Sequence, residues 1–74
     1  MTLKEFNILS DHDKYVITFQ QGVFLDYHLA GNLRYALYAI DKFFVEVEYK
    51  VDENKIINLA SFIEGDKLNR YTKF

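Results

Sequence analysis

The chain has no cysteine, no proline and no tryptophan, and only three glycines among its 74 residues. Without cysteine there is neither a disulfide framework nor a thiolate metal site. Without proline, and with so little glycine, collagen-like and low-complexity architectures are excluded. No apolar run approaches the ~18 residues of a membrane-spanning helix. A dominant charge is missing too. Nine basic and eleven acidic residues leave a net charge of -2, a field too weak to single out nucleic acid or an anionic membrane as partner. Residues 1–7 include Lys4 and Glu5 and lack the apolar stretch of a signal peptide, so a cytoplasmic protein is expected.

What is present is a globular balance, 50% apolar and 27% charged, with room for one domain over residues 1–74 and no second core. A chain this short buries only about 60% of its unfolded surface. Its aromatics, 18% and all Phe or Tyr, raise the apolar area gained per ordered residue.

The clearest local signal is residues 43–51. Phe43, Val45, Val47, Tyr49 and Val51 alternate with Phe44, Glu46, Glu48 and Lys50, the period of a strand with one buried face. Asp52-Glu53-Asn54 reads as a turn and 55–63 as the next strand. Upstream, Val23, Leu25, Tyr27 and Leu29 share a face, and Ala30-Gly31-Asn32 marks a turn. Residues 33–40 suit either a helix, through Leu33, Leu37 and Ile40, or a strand.

Register decides for the strand. Two-residue turns at Gly31-Asn32 and Asp41-Lys42, with a three-residue loop at 52–54, set Tyr27 opposite Ala36, Leu25 opposite Tyr38 and Val23 opposite Ile40. They also set Tyr38 opposite Val45, Val47 opposite Leu59 and Tyr49 opposite Ile57. All four apolar sets then share one face, which a one-residue slip in any strand would destroy.

A sheet with one apolar face needs a cover. Ser10 as N-cap, Asp11 and Asp13 in the first turn, and His12, Tyr15, Val16 and Phe19 at helical spacing predict an amphipathic helix over 11–21, with Gly22 just past its end. Thr2 and Glu5 have capping-box spacing, which predicts a short leading helix over 3–9. The expectation is an α+β domain: an N-terminal helix packed on a four-stranded antiparallel meander.

Gly22-x-Phe24-Leu25, Leu37-Tyr38, Phe43-Phe44-Val45-Glu46-Val47, Ser61-Phe62, Leu68 and Tyr71 together resemble a family of short bacterial proteins of uncharacterised function. The resemblance covers about residues 12–71 and implies a helix followed by a meander. It implies no activity. Position 44 holds Phe where the pattern has Tyr.

The register also maps the second face of the sheet into rows. The first is His28, Tyr35, Glu48 and Asn58, and the next Asp26, Leu37, Glu46 and Ala60. A third is Phe24, Ala39, Phe44 and Phe62, and the last Leu33, Lys50 and Ile56. Two readings compete. In the first, Phe24, Leu37, Phe44, Ile56 and Phe62 form an apolar surface for a partner, either a second copy of the chain or another small protein. The strand over 56–63 lacks charge and proline at a sheet edge, which points the same way. Cover by the chain itself, through residues 1–9 or through Leu68, Tyr71 and Phe74, is the competing explanation. In the second reading, Asp26, His28, Tyr35, Glu46 and Glu48 form a site for a small ligand or for acid–base catalysis.

Metal binding is not expected. Asp11, His12 and Asp13 are consecutive on a helix and diverge, and Asp26 and Glu46 lie two strand spacings apart, roughly 10 Å. No nucleophile elbow, phosphate loop or dinucleotide fingerprint occurs. Lys67, Arg70, Tyr71 and Lys73 supply too few cations for a nucleic-acid track. The chain is expected to act without a cofactor, as an interaction module and not as an enzyme.

Overall fold

The computed structural model describes residues 1–63. In chain order these form α1 (Leu3–Asn7), α2 (Asp11–Gln21), β1 (Val23–Ala30), β2 (Leu33–Ile40), β3 (Phe43–Lys50) and β4 (Lys55–Phe62). The strands make one antiparallel sheet in the order β1-β2-β3-β4. The α+β meander expected from the sequence is therefore the fold.

The capping box at α1 is complete. The Thr2 hydroxyl accepts from the Glu5 N–H at 3.1 Å, and the Glu5 carboxylate accepts from the Thr2 N–H at 2.8 Å. These bonds hold the Glu5 carboxyl below the usual glutamate range. A five-residue helix is not stable by itself. It is held by Phe6, which is 0% exposed and meets the Phe43 ring at 5.3 Å. The helix ends at Asn7, short of the expected Leu9.

In α2 the Ser10 hydroxyl accepts from the Asp13 N–H at 3.2 Å. The buried stripe is rotated from the one expected. His12 and Phe19 are exposed, while Thr18 is fully buried and Ile17 packs against the core. Thr18 is small, and its hydroxyl is satisfied by the Lys14 carbonyl at 2.8 Å, so the helix can lie close to the sheet. Gly22 serves the same approach. It is not left-handed, as a glycine past a helix end would be, but extended at φ -72. A Cβ there would fall 2.4 Å from the Thr18 carbonyl oxygen and 3.3 Å from the Tyr38 Cβ.

Gly31 takes φ 62 in the two-residue turn between β1 and β2, the conformation glycine supplies without steric cost. At the next turn Asp41 adopts φ 51, in a region where aspartate is among the better-tolerated residues. Phe6, Ile40, Phe43, Val45 and Val47 form the core, with Leu3, Leu9, Ile17, Tyr38, Tyr49, Ile56 and Leu59 packed around it. Both helices lie on this one face. Residues 1–9 therefore do not cover the opposite face. Leu68, Tyr71 and Phe74 lie outside the described residues.

The expected register holds through β2–β3 and most of the other ladders, and fails at two bulges. Near the start of β1 the pairing shifts between Phe24 and Asp26, so Phe24 opposes Tyr38 and Val23 opposes Ala39. Leu25 is the extra residue. The shift carries Phe24 to the helix-side face, where its ring and that of Phe19 each meet Tyr38 at 5.7 Å. In β4 the pairing shifts so that Tyr49 opposes Ile56 and Lys50 opposes Lys55. The loop there holds the four residues 51–54 between paired ends, one more than expected, and Ile57 absorbs the difference as a bulge.

Candidate functional site

On the face away from the helices, the first two expected rows are realised. His28 opposes Tyr35, Tyr35 opposes Glu48, and Glu48 opposes Asn58. Asp26 opposes Leu37, Leu37 opposes Glu46, and Glu46 opposes Ala60. The Tyr35 hydroxyl donates to the Glu48 carboxylate at 3.3 Å, and the His28 and Tyr35 rings lie 6.2 Å apart. Leu37 and Glu46, at the centre of the face, are each only 3% exposed. No buried side-chain polar atom among the described residues lacks a partner, so Glu46 is a satisfied carboxylate. Among the described residues no three acids, histidines or cysteines are grouped to hold a metal ion.

The third and fourth rows are corrected. Phe24 and Ile56 are not on this face. Phe24 is replaced in its row by Val23, which joins Ala39, Phe44 and Phe62, and Ile56 is replaced by Lys55. Ile56 packs against the core instead. What remains of the expected apolar surface is the stacked pair Phe44–Phe62, with ring centroids 5.9 Å apart, beside the buried Leu37. The bulges that moved Phe24 and Ile56 are single-residue insertions, and alternation counting cannot place them.

Exposed apolar surface gathers elsewhere, on β1. Phe24, Leu25, Tyr27 and Leu29 are between 48% and 58% exposed, with Phe19 beside them at 45%, and Val23, on the opposite face, is 62% exposed. β1 is an edge strand. The eleven residues of α2 make a rod of about 16 Å, and α1 is shorter. Seated over the core strands, they leave the β1 side of their face open. A cavity of about 160 Å³ there is lined by Phe24, Tyr27, Arg34, Ala36, Tyr38 and Tyr49. The Arg34 guanidinium lies 4.9 Å from the centre of the Tyr49 ring. Partial burial pushes the Tyr49 phenol up to about 12, with the neighbouring Tyr38 adding to the effect and Arg34 opposing it. Sequence reasoning placed Val23, Leu25, Tyr27 and Leu29 beneath the helix. Weighing the length of the helical cover against four strand spacings would have exposed the shortfall.

The opposite edge is better guarded. β4 begins with Lys55, contains the bulge at Ile57, and its Ser61 hydroxyl donates to the side chain of Asn7, the last residue of α1. A second cavity, of about 510 Å³, lies by the β2–β3 turn against Leu3, Phe43 and Ile63. Within it the Met1 amine and the Asp41 carboxylate are already joined, 2.6 Å apart.

No family model, curated protein or solved structure matches the chain. No helix among the described residues is long and apolar enough to cross a membrane.

Proposed function

We propose that this chain is a non-enzymatic interaction module that works as a cytoplasmic homodimer and docks through the edge of β1. The observation that carries this reading is the run of half-exposed apolar side chains, Phe24, Leu25, Tyr27 and Leu29, on an edge strand that pairs with β2 along one side. A monomer rarely keeps so much contiguous apolar surface in water, and an edge strand offers backbone groups to a partner. The test is sedimentation of the wild-type chain over a concentration series, beside Leu29→Glu and Phe44→Asp. Leu29 is largely exposed, so its replacement leaves the fold intact. Dimers that Leu29→Glu dissociates and Phe44→Asp leaves whole support the reading. Loss of dimer only in Phe44→Asp moves docking to the Phe44–Phe62 stack. A wild type still monomeric at about 1 mM, where binding is worth only about 4 kcal/mol, overturns the homodimer and leaves another small protein as the partner.

The row of Asp26, His28, Tyr35, Glu46 and Glu48 supports a second reading, a site for a small ligand, through the Tyr35–Glu48 hydrogen bond and the adjacent His28 ring. Displacement of the His28 ring resonances by a mixture of small carboxylic acids and amines, without change in sedimentation, would favour it over docking.

A further inference from the structure

We infer that the two copies join by an antiparallel β1–β1 ladder whose two-fold axis passes through Tyr27, with Asp26 of each copy facing His28 of the other. This rests on the reading of β1 as the docking edge and deepens it by fixing the partner and the register.

The backbone sets the first constraint. Ala30 and Leu33 close a two-residue turn, and such a closing pair exchanges hydrogen bonds. Alternation then directs the backbone groups of His28 and Asp26 toward β2, and those of Leu29 and Tyr27 outward. A hydrogen bond at this edge agrees. The Tyr27 N–H is held at 2.8 Å by the carboxylate of its neighbour Asp26. Outward residues must meet outward residues, so the axis has to pass through a residue and not between two.

The side chains choose among the remaining axes. An axis at Asp26 sets two carboxylates against each other, which is repulsive. An axis at His28 pairs Asp26 with Ala30, and one at Leu29 leaves little of the strand overlapped. An axis at Tyr27 places Asp26 opposite His28 on both sides and Leu25 beside Leu29, with the two Tyr27 rings at the centre. Asp26 is the only acid in β1 and His28 the only side chain there that can carry positive charge, so this register alone matches them. Asp26 has a role in each state. In the single chain it occupies the edge N–H of Tyr27. In the pair that N–H donates to the carbonyl of the second Tyr27, and the carboxylate turns to His28 of the second copy.

The chain has no cysteine, so single introduced thiols report the register in the full-length protein. The variants are Asp26→Cys, Tyr27→Cys, His28→Cys and Leu29→Cys, each oxidised under mild conditions. Hydrogen-bonded partners lie about 5.5 Å apart between Cα atoms, inside the range a disulfide accepts. Tyr27→Cys is therefore expected to give covalent dimer. The two Leu29→Cys thiols sit four residues apart along the ladder, roughly 13 Å, and stay free. Tyr27→Pro provides a second readout. It removes an outward N–H while leaving the β2 ladder untouched, as edge strands tolerate. Loss of the two N–H bonds across the axis weakens association about tenfold or more relative to Tyr27→Ala. A dimer whose crosslink peaks at 26, 28 or 29, or that Tyr27→Pro leaves unchanged, overturns the register while the docking module stands. Wild type that stays monomeric, with no crosslink at any position, overturns both.

Discussion

Phe6 is where the N-terminal segment is held, and its removal tests whether that segment is part of the fold. α1 has five residues and one fully buried side chain, whose ring meets Phe43 against Ile40, Val45 and Val47. Truncating a buried phenylalanine to alanine costs about 3–5 kcal/mol, including the cavity left behind. A 74-residue domain has about 4–11 kcal/mol in total to lose, so Phe6→Ala should take the protein close to unfolding. Each kcal/mol moves the melting temperature of a domain this size by about 4–8 °C. The assay is urea unfolding followed by circular dichroism at one fixed protein concentration, since dimerisation would make stability depend on it. The midpoint should fall while the slope stays constant. Ile8→Ala, at a position 81% exposed, should change stability by no more than about 0.5 kcal/mol. A cost below about 1 kcal/mol for Phe6→Ala would refute the reasoning, because it would mean that α1 is not seated on the sheet and that the core closes without it.

Two further outcomes follow from the packing. Gly22→Ala puts a methyl group 2.4 Å from the Thr18 carbonyl oxygen, and the forced shift of the α2–β1 junction should cost about 1–3 kcal/mol in the same assay. An unchanged midpoint would show that the close approach of helix and sheet is dispensable. Alkaline titration followed by tyrosinate absorbance should reveal a phenol ionising near 12 that is absent from Tyr49→Phe. Because the folded value lies above the unfolded one of about 10, this group's contribution to stability is whole below pH 10. It fades as pH climbs toward about 12. A wild type in which every tyrosine titrates together would contradict the environment assigned to Tyr49.

The pairing of the middle strands was legible in the sequence because side-chain alternation, turn length and a buried face all constrain one number, the register. Ile40 opposite Phe43, Val45 opposite Tyr38 and Glu48 opposite Tyr35 follow from counting outward from two-residue turns. The caps at Thr2 and Ser10 were legible too, since each joins atoms only three residues apart. The bulges at Leu25 and Ile57 were not, because each depends on what lies across the fold. At Leu25 the second partner is the Phe19–Tyr38–Phe24 ring cluster, and at Ile57 it is the core beneath Ile56. The same limit governs the candidate docking surface. Sequence alternation gave β1 a greasy side, but whether that side met a helix or water depended on where two short rods came to rest on a wider sheet. Local chemistry thus determined the elements and most of their pairing. Tertiary packing decided which apolar residues are core and which are left for a partner.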